Sequence, residues 1–195
     1  MLKEKLKDFH LILASGSPRR HQFFEELGLE FEIRLKPVEE KYPDHLQGYE
    51  ITNYLSELKA VPFQEELSTG DILITSDTIV SLDGQALGKP ADPAQAREML
   101  RTLSGKMHEV ITSVCFTTPV KQRTEHCSTQ VQFVNLTDEE IDFYINEFRP
   151  FDKAGAYGIQ EWIGLIGIER IEGSYFNVVG LPTHLVYRTL KEISE

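Results

Sequence analysis

The stretch LILASGSPRR, residues 11–20, sets a short apolar run directly against a turn of small residues and a helix start. With its flank, FHLILA reads as a buried strand; Ser17 is a good N-cap and Pro18 a good first helical residue. Phe23, Phe24 and Leu27 then share one face, and Gly28 stops the helix. A strand that turns at once into a helix asks for a fold that alternates the two, and the rest of the chain keeps to that pattern. FEIRL alternates as a second strand, and residues 37–48 are a polar, proline-containing loop. Ile51, Tyr54, Leu55 and Leu58 have helical spacing until Pro62 breaks or kinks the segment. DILITSDTIVSLDGQAL reads as a buried strand, a polar interruption and a hairpin turning at Asp83-Gly84. Asp92-Pro93 opens a helix with the stripe Ala96, Met99, Leu100 and Leu103, and two strands follow at about 108–117 and 125–134. Thr137 and Glu140 form a capping box for a helix that ends before Pro150. IGLIGIERIEGSYFNVVG is expected to be strand-rich, and residues 183–193 make a last helix. Strands alternating with helices, with hairpins in the middle, predict an α/β fold: a mixed β-sheet flanked by helices, with a cleft between a main layer and a smaller lobe. No repeat, low-complexity tract or linker interrupts residues 1–195, which are read as a single domain.

Charge narrows the partners. With 31 acidic and 20 basic residues the formal net charge is −11, which argues against sequence-independent binding to a nucleic acid polymer and against an anionic membrane surface. An anionic substrate must then be met by a local basic cluster. Cys115 and Cys127 are the only cysteines, and neither has a second Cys or His at metal-ligand spacing; a reduced, structural pair is expected. The apolar run after MLKEKLKDF is shorter than a signal sequence requires, and nothing approaches a span of about 20 apolar residues, so a cytoplasmic protein is expected.

Two arginines, Arg19 and Arg20, stand where a helix N-terminus is already partly positive, a misplacement that an anion would resolve. Small residues and hydroxyls at a strand–helix turn, with bidentate donors beside them, suit phosphate oxygens; the plainer alternative is a solvated helix start. Asp77 follows the apolar run ILIT between Ser76 and Thr78, and a carboxylate at a strand end suits a metal ligand or general base, against the alternative of an Asx turn. Lys59, Lys89 and the pair Glu39-Glu40 are, by themselves, ordinary surface residues. DKAGAYGIQ, residues 152–160, sets small residues around one tyrosine, which lets backbone approach a flat ligand, and Gln160 could then read the edge of a base. In GSYFNVVGLP, Phe176, Val178 and Val179 are expected in the core. The six histidines show no zinc-protease spacing, and no G-x-S-x-G elbow or Walker loop is present.

Taken in order, LASGSPRR, SDTIV, GKP, LSGK, DKAGAYGIQ and GSYFNVVGLP resemble the Maf family of nucleoside triphosphate pyrophosphatases. The resemblance implies a nucleoside triphosphate as substrate, cleavage between its α- and β-phosphates, a divalent cation (Mg²⁺ or Mn²⁺) and a homodimer in many members. Position by position it implies phosphate contacts from Ser15, Arg20, Lys59 and Lys89, and catalysis by Asp77. It also implies metal binding by Asp77 with Glu40, and base selection by Arg19, Thr78 and Gln160. ELKAVP departs from the family's EKA helix by carrying Leu58 before Lys59. The combination at the selecting positions looks like the branch acting on dTTP and UTP. Alternatives are a modified purine triphosphate such as 7-methyl-GTP, or a nucleotide-binding regulator of cell division.

Overall fold

A computed structural model describes residues 1–195. Its seven strands are β1 (His10–Leu13), β2 (Glu32–Ile33), β3 (Asp71–Leu82), β4 (Gln85–Leu87), β5 (Met107–Thr117), β6 (Gln122–Phe133) and β7 (Ile168–Glu172). They form one sheet in the order β2-β1-β3-β5-β6-β7, with β4 paired to β3. It is mixed, as expected: β1 runs parallel to β2 and β3, whereas β4 is antiparallel to β3 and β7 to β6. The helices are α1 (Leu2–Lys5), α2 (Pro18–Glu26), α3 (Tyr49–Ala60), α4 (Pro93–Leu103), α5 (Asp138–Phe148), α6 (Trp162–Gly167), α7 (Tyr175–Val179) and α8 (Thr183–Ile193). No helix is long and apolar enough to cross a membrane.

The chain packs as two compact units, and β3, β5 and β6 give residues to both. The first comprises Met1–Asp77, Thr112–Cys127 and Gly180–Glu195. Its core gathers Ile12, Ala60, Phe63, Leu73 and Cys115, so the apolar runs of β1 and β3 meet the end of α3. Much of the α3 seam is hydroxylic instead. Thr52 Oγ1 lies 2.6 Å from Ser113 Oγ, Ser113 donates to Asn53 Oδ1 at 2.7 Å, and Thr75 donates to the Ser56 carbonyl at 2.6 Å. Buried hydroxyls gain little net stability but are costly when unmatched, so this pattern sets where α3 sits along β3 and β5. Cys115 and Cys127 are free thiols.

The second unit comprises Thr78–Ile111 and Ser128–Val179. Leu100 and Leu103 of α4 are buried, as are Ile141 and Tyr144 of α5, and Arg101 ties the two helices by a bidentate pair with Asp138 at 2.8 and 2.7 Å. The Thr137–Glu140 capping box forms at the start of α5, and Arg149 ends it in the left-handed region just before Pro150. His108, Phe133 and Tyr157 pack edge to face, with His108 Nε2 2.7 Å from the Tyr157 hydroxyl.

Several stretches depart from the sequence expectation. FEIRL pairs over two residues only, Glu32 and Ile33, both exposed at the sheet edge. Ser17 caps α2 in position, but its side chain makes no capping bond. The segment read as strand-rich contains α6 and α7, with one five-residue strand between them. Ile and Val alternating with Gly satisfied the strand pattern there, but the glycines allow close packing that a helix uses equally well. Gly164 shows this, since a Cβ there would collide with the Ile159 carbonyl. Phe176, expected in the core, is exposed on α7.

Candidate active site

β1 delivers the chain into the Ser15–Ser17 turn, and Ala14 still donates to the Ile74 carbonyl at 2.9 Å. Ser15 is buried; its Oγ accepts from the Ser17 N–H at 3.3 Å, and its carbonyl receives the His21 ring. Arg20, one turn into α2, donates through Nε to the Gly180 carbonyl and through Nη1 to the Ser76 carbonyl, both at 2.9 Å, and reaches Ser15 Oγ at 3.5 Å. Burial draws the Arg20 guanidinium down to about 10, against the opposing pull of the Asp77 carboxylate, while the neighbouring Arg19 lowers it further.

From the last turn of α3, Lys59 Nζ lies 2.6 Å from Asp77 Oδ1 and 3.1 Å from Glu40 Oε1, and 3.5 Å from the Ser76 carbonyl. Arg20 and Lys59 thus converge on one backbone oxygen beside Asp77, and Glu40 joins from the loop before α3. The cluster carries two cations and two anions, with Lys59 in contact with both carboxylates and Arg20 on the Ser76 carbonyl beside Asp77, in a chain whose net charge is −11.

Asp77 corrects one expectation. It is not at a strand end and makes no Asx turn: β3 runs unbroken from Asp71 to Leu82, with Ser76, Asp77 and Thr78 inside it. β1 pairs with residues 71–74 and β4 with residues 80–82. Polar side chains did not interrupt the strand because pairing is made by the backbone, and two of them have partners of their own. Lys59 partners Asp77, and the Ser56 carbonyl partners Thr75.

Of the residues singled out in the sequence, Ser15, Arg20, Lys59, Asp77 and Glu40 come together in the first unit. Arg19 is beside Arg20 in α2, half-buried. Thr78 directly follows Asp77 in β3 and is half-buried. Lys89, in the coil after β4, and Gln160, in the second unit, are both exposed. Sequence reasoning passed over Ser76 and Gly180 because they hold Arg20 through backbone carbonyls, which no side-chain motif announces. Ser76 also buries a hydroxyl that has no hydrogen-bond partner.

The donor set can be tested against a divalent cation. Two carboxylate oxygens, from Asp77 and Glu40, already contact the Lys59 ammonium, and no third carboxylate, histidine or cysteine completes a metal cage. That matches Mg²⁺ or Mn²⁺, which commonly take one or two protein carboxylates and complete their shell with substrate phosphates and water. The residues present fit such an ion.

Known proteins resemble this chain over nearly its whole length. The family described as Maf-like protein matches residues 10–193. A dTTP/UTP pyrophosphatase of Christiangramia forsetii is 58% identical over 193 residues, covering 99% of this chain and 98% of the relative. One of Flavobacterium johnsoniae is 56% identical, covering 97% and 98%, and one of Phocaeicola vulgatus is 49% identical, covering 97% and 99%. Among solved structures, the Staphylococcus aureus Ham1 protein superposes with a TM-score of 0.55 at 15% identity over 94% of this chain and 99% of that one, a likeness of fold.

Proposed function

The chain belongs to the Maf family, and on that premise we propose that it hydrolyses dTTP and UTP to the monophosphate and pyrophosphate. Relatives 46–58% identical over nearly the whole chain carry that activity in their names, which supports the substrate. The observation that carries the reaction is the convergence of Arg20 and Lys59 on the Ser76 carbonyl beside Asp77.

Cleavage of a triphosphate depends more on positioning and charge neutralisation than on covalent chemistry. Arg20, held by two carbonyls, keeps its orientation while the negative charge of the transition state develops, so little reorganisation opposes it. Lys59 is differently placed: a triphosphate carries more negative charge than the Asp77 and Glu40 carboxylates together, so substrate draws Lys59 away from Asp77. Asp77, released, accepts the proton of the water that attacks the α-phosphorus. Ser15 and the backbone of its turn bind phosphate oxygens, and Lys89 adds a further positive charge. A Mg²⁺ or Mn²⁺ ion held by Asp77 and Glu40 supplies the remaining charge neutralisation when bound. Arg19, Thr78 and Gln160 choose the base, the glutamine amide pairing with the carbonyl and N–H edge of a pyrimidine. A cytoplasmic homodimer belongs to the same reading, supported by the family resemblance alone.

A nucleotide panel with separate detection of pyrophosphate and orthophosphate is the test. With Mg²⁺ or Mn²⁺ present, dTTP and UTP should exceed dATP and GTP at least tenfold in kcat/KM, about 1.4 kcal/mol of transition-state binding, and EDTA should abolish turnover. Equal rates on purines, or orthophosphate with a diphosphate as products, would overturn the proposal.

A further inference from the structure

Gln160 stands at the third position of a four-residue turn, Gly158–Glu161, closed by the Glu161 N–H donating to the Gly158 carbonyl at 3.0 Å. Both ends of this turn are tied to one buried atom. The Gly158 N–H donates to the Tyr144 hydroxyl at 3.0 Å, and that hydroxyl donates to the Glu161 carboxylate. Lys153, itself buried, holds the other oxygen of Glu161 at 3.0 Å. The amide of Gln160 lies over the same spot. A Cβ added at Gly158 would come within 3.0 Å of Gln160 Nε2, of the Glu161 carboxyl carbon and of Lys153 Cε. Gly164 leaves room for the turn, since a Cβ there would strike the backbone of Ile159.

Tyr144 reaches this place because α5 presents it on the same buried stripe as Ile141 and Ile145, and the capping box fixes where that helix starts. A phenylalanine would fill the same space, so the hydroxyl is not needed for packing. Buried polar groups are nearly always satisfied, and here one hydroxyl satisfies a donor and an acceptor at opposite ends of a turn. Burial also pushes the Tyr144 phenol well above its ordinary value, so it stays a donor throughout the working pH range.

We infer that Tyr144 is a specificity-positioning residue, whose hydroxyl locks the Gly158–Glu161 turn so that Gln160 meets the pyrimidine edge in one orientation. The inference rests on the reading that Gln160 selects the base. Losing the lock lets the turn sample other conformations, and pyrimidine binding then bears the cost of ordering Gln160 again, while the chemistry at Asp77 is untouched.

Steady-state kinetics on UTP and GTP separate the outcomes, using wild type, Tyr144→Phe and Gln160→Ala. Tyr144→Phe should raise KM for UTP about tenfold with kcat within about twofold, and should leave the slow reaction on GTP unchanged within about twofold. Glu161→Gln keeps an acceptor for the hydroxyl and should fall between wild type and Tyr144→Phe. A purely structural Tyr144 would lower every substrate alike through the folded fraction, and that result, or an unchanged KM for UTP, overturns the inference. If Gln160→Ala loses pyrimidine preference while Tyr144→Phe keeps it, the inference alone fails. If Gln160→Ala keeps the preference, the role of Gln160 fails first and the inference with it. Should Tyr144→Phe yield no folded protein, Glu161→Ala takes its place with the same split expected.

Discussion

Two lysines in this protein each sit between two carboxylates, one in each compact unit. Lys59 lies between Asp77 and Glu40, with side-chain exposures of 18%, 9% and 45%. Lys153 lies between Glu161 and Asp152, with exposures of 9%, 20% and 59%. In residue types the clusters are nearly the same. They differ in what else touches them. The Lys59 cluster has a second cation, Arg20, fixed beside it on a shared carbonyl, so its charges can exchange partners without leaving any of them bare. The Lys153 cluster has instead a neutral clamp, the Tyr144 hydroxyl, which bonds the same carboxylate and the backbone of the turn. An ion pair with a spare cation can open for a polyanion; an ion pair pinned by a neutral hydrogen bond holds a shape.

The largest expected effect breaks the first cluster at its anion. Asp77→Asn keeps the shape of the side chain but can neither accept a proton from water nor bind a hard cation well. Turnover on dTTP should fall about 10²–10⁴-fold while the variant folds normally. Calorimetric binding of a non-hydrolysable analogue should persist, because Arg20 and Lys59 remain. Turnover above about a tenth of wild type would remove Asp77 from catalysis.

A pair of matched substitutions sharpens the contrast. Lys59→Met should cost about 10²-fold in kcat/KM and only about 1 kcal/mol of stability, because the Arg20 charge held on the neighbouring Ser76 carbonyl still offsets that of Asp77. Lys153→Met should do the reverse, costing about 2 kcal/mol in urea unfolding because Glu161 is left partly buried without its cation. Similar stability losses in the two variants would mean that both clusters are merely structural.

The smallest effect concerns pH and lies in the second unit alone. Burial lowers the His108 imidazole to about 4, from an ordinary value of 6.5. The unfolded chain therefore takes up this proton first as pH falls. The stability from keeping His108 neutral is fully present above about pH 6.5 and is lost progressively towards pH 4, about 2 kcal/mol between pH 7 and 5. Urea unfolding at those two pH values measures it, and His108→Gln should flatten the dependence. An equally steep loss in that variant would assign the sensitivity elsewhere.

The opening strand, turn and helix, the capping box of α5 and the mixed sheet could all be read from residue order, because each depends on neighbours within about four residues or on period. The same holds for Ser15, Arg20 and Asp77 as candidates, through the ordered motifs they belong to, whereas Lys59 and Glu40 are candidates only through the family resemblance. What residue order could not supply was how those candidates are held. The Ser76 and Gly180 carbonyls that hold Arg20, and the continuation of β3 through Asp77, depend on contacts up to 160 residues apart. The misread segment fails for a related reason, since its apolar and glycine residues fit either period, and at α6 the choice falls to the close approach of Gly164 to Ile159. Local chemistry is written in the order of the residues. Which charge meets which carbonyl, and which hydroxyl ties which turn, is decided only when the chain closes on itself, because a hydrogen bond or ion pair is set by distances in space.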